Sequence, residues 1–315
     1  MRAAIALGER GRGRTAPNPN VGCLLVKDGR VVGRGWTQPG GRPHAEAIAL
    51  QQAGDAARGA TAYVTLEPCA HRSPRGPACA DLLLEGGVAR IACAVGDPDP
   101  RTNGRGLERL RAGGVQVETG LLAAEAERSF AGFLTRLRHR RPHVTLKLAM
   151  SLDGRIALPS GESRWITGDE ARAHVHLERA RADMILVGRG TFEADAPRLD
   201  VRLEGLEDRA PARALLTRGA APDGWTRVGA AEEISTLADV NDLFVEGGAE
   251  TAASFLRADL VDRLLLYRAP ILIGEGKPAL GDIGLASLAD AHDRWRLHDR
   301  RTLGIDFLEV YERTR

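Results

Sequence analysis

Aromatic residues make up only 4% of this 315-residue chain. Proteins that thread single-stranded nucleic acid stack bases on aromatic faces along a basic groove, so no nucleic-acid partner is expected. The charge points the same way. Charged residues amount to 27%, both signs are interspersed, and the formal net charge is +2. That balance suits a soluble globular protein and offers no single-sign surface to a polyanion. No run of apolar residues reaches the length that spans a bilayer. Met1 to Gly13 reads as a short Ala-rich helix without an apolar signal core. A cytoplasmic protein with no membrane partner is therefore expected. Cysteine is sparse too, at four residues, and in a cytosolic setting disulfides are not expected. Cys23 and Cys93 lie in apolar strand-like runs and read as buried, inert thiols.

The other two cysteines belong to a different pattern. Pro43-His44-Ala45-Glu46 opens a helix-like stretch, Glu67-Pro68-Cys69 follows a strand-like run, and Cys79 closes the segment. One imidazole and two thiolates with one open position make a catalytic zinc site. His-x-Glu followed by Pro-Cys and a second Cys is the general signature of zinc deaminases. Glu46 is too close to His44 in sequence to share its direction on the helix, so it can lean over the open position. There it can carry protons from a zinc-activated water to a departing amine. A structural zinc with His71 as a fourth ligand is the nearest alternative, and it leaves Glu46 without a role. Nucleoside and nucleic-acid deaminases keep two residues between their cysteines, whereas here Ala70 to Ala78 intervene.

Taken in order, Thr15 to Gly22 is a polar, proline-bearing loop, and Cys23 to Trp36 reads as a hairpin around Asp28-Gly29. Helices are expected at His44–Gln52, Ala80–Glu85, Leu107–Ala112 and Ala123–Leu137, with strands at Thr61–Leu66, Val88–Val95 and Val115–Glu118. This alternation predicts an α/β sandwich with the metal at the C-terminal ends of the strands. The basic run Arg136 to Arg141, followed by Pro142, reads as a solvated helix end and linker. The expected domains are 1–141 and 142–315.

The second half restarts with a strand at His143–Met150. Thr167 and Glu170 have the spacing of a capping box for a helix running to Ala182. A buried-type strand follows at Met184–Gly188, and Ala196–Ala231 reads as loop-rich. Strand Leu243–Glu246, the pair Gly247-Gly248 and helix Glu250–Ala258 then form one unit. Such a glycine pair either brings backbone N–H groups close to a phosphate or is an ordinary turn. Strand Arg263–Tyr267 and a closing hairpin, Ala289 to Tyr311, complete the chain.

These motifs resemble those of the bifunctional riboflavin-biosynthesis deaminase/reductase family over essentially the whole length. The first-half set is Pro17-Asn18-Pro19-Asn20-Val21-Gly22, Pro43-His44-Ala45-Glu46, Tyr63 through His71, and Gly96-Asp97-Pro98-Asp99-Pro100. The second-half set is Leu146 through Gly154, Gly161 through Thr167, and Val245-Glu246-Gly247-Gly248. The long loop between the cysteines is usual for this family. The resemblance implies a cytidine-deaminase-like three-layer α/β/α sandwich followed by a dihydrofolate-reductase-like α/β domain. It implies hydrolytic deamination of a diaminopyrimidinone ribosylamino 5′-phosphate, then NADPH-dependent reduction of the ribosyl group to ribityl. The partners are these small-molecule pyrimidine ribosylamino phosphates, and the chain is expected to form a homo-oligomer, a dimer or tetramer.

By position in the motifs, His44, Cys69 and Cys79 hold Zn2+ and Glu46 is catalytic. Asn18 and His71 contact the pyrimidine side, and Arg72 or Arg75 is placed to meet the substrate phosphate. In the second half Lys147 assists ring opening of the sugar, or simply pairs with Glu246 or Asp153. Ala149, Trp165, Thr191, Asp195 and the run Gly248, Ala249, Glu250, Thr251, Ala252, Ala253 and Ser254 are the implied NADPH contacts. Ser163, Arg179, Leu199, Arg202 and Glu246 are the implied substrate contacts. One departure stands out. The family's Asp-Ser at the end of a strand after the Arg202 region has as its nearest match Ala214-Leu215-Leu216-Thr217-Arg218, and the segment to Leu243 is short. Either the adenine-side loop is trimmed or the reductase half is impaired. The alternatives are a deaminase with an inactive second domain, or another zinc nucleobase deaminase with an accessory domain.

Overall fold

The computed structural model describes every residue except Arg72 and divides the chain into two compact units, Met1–Arg140 and Arg141–Arg315. The first unit runs α1 (Arg2–Gly8), β1 (Gly22–Lys27), β2 (Arg30–Trp36), α2 (Ala45–Ala53), β3 (Thr61–Leu66), α3 (Cys79–Glu85), β4 (Arg90–Val95), α4 (Arg105–Ala112), β5 (Gln116–Thr119), α5 (Ala123–Ser129) and α6 (Ala131–His139). Its sheet has the order β2-β1-β3-β4-β5. The β1–β2 hairpin closes through Asp28 and Gly29, both at positive φ (50° and 71°). That is the backbone twist a two-residue hairpin turn needs.

Alternation along β1 explains the layers. Cys23 and Leu25 pack with Ala45 and Ala49 of α2. Leu24, between them, packs with Ala4 and Leu7 of α1. Successive strand side chains face opposite sides, so the sheet has a helix on each face, the three-layer arrangement that the family resemblance implies. Glycine lets α2 come close. A Cβ at Gly33 or Gly35 of β2 would stand 2.2 or 2.0 Å from the carbonyl oxygens of Ala49 and Ala45.

The second unit runs β6 (His143–Met150), β7 (Arg155–Ala157), α7 (Asp169–Ala180), β8 (Met184–Gly188), α8 (Arg189–Asp195), β9 (Ala212–Leu216), β10 (Trp225–Val228), β11 (Asp242–Glu246), α9 (Ala249–Arg257), β12 (Arg263–Arg268), β13 (Lys277–Pro278), β14 (Trp295–Leu303) and β15 (Asp306–Arg313). Its main sheet has the order β10-β9-β8-β11-β6-β12-β15-β14. The strands from β10 to β12 are parallel, and β15 and β14 close antiparallel. Met184 and Leu186 join one core with Phe255 of α9, while Ile185 and Val187 join the other with Val175 of α7.

Three expectations need correction. The helix expected over Ala123–Leu137 is two, α5 and α6, broken at Phe130 (φ −121°, ψ 36°). Phe130 is 1% exposed in the core, so packing of its ring outweighs continuing the helix. Thr167 and Glu170 form no capping box: the N-cap of α7 is Gly168 and no side chain caps it locally. Asp306 from the distant β15 accepts the Gly168 N–H at 2.7 Å instead. The stretch expected to be loop-rich holds β9 and β10.

Candidate active sites

The first site sits where β3 ends. His44 is the N-cap of α2, with extended backbone (φ −74°, ψ 163°), and Glu46 lies in that helix's first turn. Cys69 follows β3, and Cys79 opens α3. The His44 Nδ1 is 3.3 Å from Cys79 Sγ and 3.7 Å from Cys69 Sγ. Bond lengths of about 2.3 Å to sulfur and about 2.0 Å to nitrogen, at the tetrahedral angle, put the two donors about 3.5 Å apart. The three ligand atoms lie within 4.8 Å of one another, and no other cluster of metal-ligating side chains was found among the described residues. The donor set and spacing therefore fit zinc, and Glu46 is left outside it.

The electrostatics agree. Hydrogen bonding to Cys79 draws the Cys69 thiol down, and hydrogen bonding to Cys69 together with burial holds the Cys79 thiol up. Metal binding requires both as thiolates. Glu46 is 3% exposed, and its carboxylate hydrogen-bonds to Cys79. Burial pushes its carboxyl up, opposed by the charge of His44.

Around this centre the structure shows what each neighbour touches. Asn18 donates to the Gly41 carbonyl at 2.7 Å, bracing the loop three residues before His44. The His71 Nδ1 is 3.5 Å from Thr102 Oγ1. Arg75 donates to the Gly40 carbonyl at 2.7 Å. Arg72, the other Arg named for phosphate, lies outside the described residues. Sequence reasoning gave Glu67 no role, yet it organises the site's far wall. Its buried carboxylate accepts N–H groups from Asp97 (3.2 Å), Gly104 (3.0 Å), Gly106 (2.9 Å) and Leu107 (3.3 Å). The only signal in the sequence was an acid at the end of an apolar strand, next to the Pro-Cys pair.

The second site lies at the C-terminal end of β11, beside the middle of β6. These strands are parallel neighbours and register Lys147 beside Glu246. Lys147 Nζ is 3.8 Å from Glu246 Oε2. Arg179 of α7 grips the same carboxylate twice, through Nε at 2.6 Å and Nη2 at 3.0 Å, and donates to the Asp200 carbonyl at 3.0 Å. Burial lowers the Lys147 ammonium, and Glu246 opposes this more than Arg179 adds to it. Burial alone would raise Glu246, but Arg179 and Lys147 outweigh it and hold the carboxyl low. Asp153 instead binds Ser151, Ile273 and Gly274. His176, not singled out in the sequence, bridges the Asp200 carbonyl and Arg202.

The other residues fall into two groups. Thr191 Oγ1 accepts the Gly248 N–H at 3.2 Å, and Asp195 pairs with Arg164 at 3.0 Å. Trp165 is 64% exposed, under the guanidinium of Arg172 at 4.7 Å. At the start of α9 the first intrahelical bond runs from the Ala252 N–H to the Gly248 carbonyl. The N–H groups of Ala249, Glu250 and Thr251 precede it and face the helix mouth. Ala252 and Ala253 are fully buried, and the Thr251 side chain packs against Gly188 and Gly247. These three meet a cofactor by backbone or not at all. Leu199 likewise has its side chain in the core and a positive φ of 55°. Ala149 is partly buried against that core, Ser163 is half-buried, and Ser254 donates to the Thr251 carbonyl.

Comparison with known proteins adds the following. Residues 1–95 match the cytidine and deoxycytidylate deaminase zinc-binding region, and residues 142–308 match the RibD C-terminal domain. The riboflavin biosynthesis protein RibD of Escherichia coli is 40% identical, covering 97% of this chain and 96% of its own length. That of Aquifex aeolicus is 35% identical, covering 99% and 97%. Among solved structures, Acinetobacter baumannii RibD superposes with a TM-score of 0.90 at 35% identity, covering 100% of this chain and 98% of that one. A diaminohydroxyphosphoribosylaminopyrimidine deaminase/5-amino-6-(5-phosphoribosylamino)uracil reductase from Thermotoga maritima gives 0.89 at 31%, covering 100% and 97%.

Proposed function

The chain belongs to the RibD family of bifunctional riboflavin-biosynthesis enzymes, and from that premise we propose how its residues divide two reactions. The first unit is a zinc-dependent deaminase acting on 2,5-diamino-6-ribosylamino-4(3H)-pyrimidinone 5′-phosphate. The second is an NADPH-dependent reductase that converts the ribosyl group of 5-amino-6-(5-phosphoribosylamino)uracil to ribityl.

In the deaminase, His44, Cys69 and Cys79 hold zinc, which supplies an activated water near neutral pH. Glu46 is the proton carrier: its carboxylate takes a proton on the nucleophile's side and returns it to the departing amine. Asn18 and His71 frame the pyrimidine, and Arg75 is placed for the phosphate. In the reductase, NADPH supplies the hydride. Lys147 donates a proton to the sugar ring oxygen as the ring opens. Glu246 holds that ammonium in place, and Arg179 keeps two N–H groups for substrate beyond those bound to Glu246 and Asp200. Arg202, Ser163 and the backbone of Leu199 complete the substrate side. Thr191, Asp195, Ala149, Trp165 and the mouth of α9 form the cofactor side. The enzyme acts in the cytoplasm on small molecules, without nucleic acid or membrane, as a dimer or tetramer. The interspersed charge of both signs supports the small-molecule reading over a polyanionic partner, and no helix among the described residues is long and apolar enough to cross a membrane.

The observation that carries this reading is the His44–Cys69–Cys79 spacing with buried Glu46 beside it but outside it. A coupled assay tests it. With the diamino substrate, ammonia release and NADPH oxidation should both appear. Glu46→Gln should cut ammonia release by about a hundredfold or more while NADPH is still oxidised when the deaminated intermediate is supplied. Ammonia release surviving the substitution would remove Glu46 from the mechanism.

A further inference from the structure

Glu67 directly follows β3, stands two positions before Cys69, and is 4% exposed. A carboxylate taken out of water needs hydrogen-bond donors around it, and here four backbone N–H groups supply them. The two oxygens divide the task. Oε2 accepts the Asp97 N–H at 3.2 Å and the Gly104 N–H at 3.0 Å. Those amides are the two ends of the loop between β4 and α4, so the loop closes on a single oxygen. Oε1 accepts the Gly106 and Leu107 N–H groups at 2.9 and 3.3 Å. Both lie in the first turn of α4, where N–H groups have no partner within the helix and a negative charge meets the positive end of its dipole.

Between its pinned ends the loop is a chain of short turns. Asp97 Oδ1 accepts the Asp99 N–H at 2.9 Å, and Asp99 Oδ1 accepts the Arg101 N–H at 2.9 Å. The Thr102 N–H reaches the Asp99 carbonyl at 2.8 Å, and the Arg105 N–H reaches the Thr102 carbonyl at 2.8 Å. Thr102 is fully buried, and its Oγ1 is held 3.5 Å from His71 Nδ1. On the other side of Glu67, Pro68 alone separates it from Cys69, and a proline ring fixes φ. One carboxylate therefore links the segment that delivers Cys69 to the loop that meets His71.

We propose that Glu67 is a positioning residue of the deaminase: it fixes the loop 97–104, and through Thr102 the imidazole of His71, in register with Cys69. The proposal rests on the reading of the first unit as a zinc deaminase with His71 on the pyrimidine side. The task needs a carboxylate. An amide offers one acceptor oxygen and an NH2 donor, so Glu67→Gln leaves two of the four N–H groups facing another donor. Either both ends of the loop or the start of α4 is then released.

Steady-state ammonia release from the diamino substrate tests this, on full-length protein whose zinc content is verified. Glu67→Gln should raise KM about tenfold or more and lower kcat by less than about threefold, because substrate register is lost while the reacting centre is kept. In the Co2+-substituted variant the thiolate charge-transfer band should match the wild type, since His44, Cys69 and Cys79 are untouched. NADPH oxidation with the deaminated intermediate should not change. Thr102→Val keeps the backbone clamp and removes the hydroxyl that faces His71. It should raise KM about threefold or more, and less than additively when combined with Glu67→Gln. If Glu67→Gln does not fold, Thr102→Val carries the comparison alone. The proposal fails if zinc-loaded Glu67→Gln keeps the wild-type KM, whatever its melting temperature, because the clamp would then serve stability alone. It fails equally if Thr102→Val leaves KM unchanged, or if the cobalt band changes, which would place the effect of Glu67 on the metal ligands themselves. A wild type that releases no ammonia would instead overturn the deaminase reading beneath it.

Discussion

An ammonium withdrawn from water gives up its proton at lower pH, because burial penalises the charged form. Lys147 is in that position, with burial lowering it and the Glu246 carboxylate partly restoring it. Proton donation by Lys147 should therefore fail on the alkaline side at a pH below the ordinary lysine value of about 10.4. Glu246 acts as a counter-charge, so Glu246→Gln removes a raising influence and Lys147 loses its proton earlier still. The alkaline limb of the reductase rate, measured with the deaminated intermediate at saturating NADPH, should move to lower pH in Glu246→Gln. Lys147→Ala should lose about a hundredfold or more at every pH. An alkaline limb that does not move in Glu246→Gln would mean another group supplies the proton. The pair itself was legible in the sequence only as one of two options for Lys147. The choice between Glu246 and Asp153 needed the register of β11 against β6, which no local pattern carries.

At the scale of elements, α4 is seated on the segment that delivers Cys69, one of the three side chains proposed to hold zinc. A Cβ at Gly106, in the first turn of α4, would stand 2.0 Å from the carbonyl oxygen of Pro68, the residue before Cys69. Both contacting groups are backbone, so one must move. The Gly106 N–H also holds the Glu67 carboxylate. Gly106→Ala should therefore cost about 1–3 kcal/mol in stability by overpacking. It should also weaken zinc binding about 10- to 100-fold, the usual effect of disturbing what supports a ligand. Competition with a chromophoric chelator measures that directly, and unchanged affinity would free Cys69 from any dependence on α4. The same contact shows which elements the sequence disclosed. The β1–β2 hairpin and the His44–Glu46 turn are short-range and could be read from neighbouring residues. Glu67 reaches N–H groups up to 40 positions away, and Asp306 caps α7 from 138 positions away. Those pairings depend on how sheets assemble. The break at Phe130 was hidden for the same reason, since helix-forming residues flank it and only burial of its ring dictates the bend.

For the whole molecule, two units with separate sheets and separate cores predict separable losses. The metal-ligating cluster found in the structure lies in the first unit, so removing zinc should act there. Ligand binding stabilises the state it binds by RT ln(1 + [L]/Kd), about 4 kcal/mol at a thousandfold excess over Kd. A chain of two units need not melt in one step. Calorimetry of the zinc-loaded protein should show two transitions, and a strong chelator should move only one of them downward. In parallel, the chelated protein should release no ammonia from the diamino substrate, yet oxidise NADPH with the deaminated intermediate at close to its original rate. Restoring zinc should return both the transition and the ammonia signal. If chelation shifts both transitions, or removes both activities together, the two units are thermodynamically coupled and zinc serves the reductase as well as the deaminase.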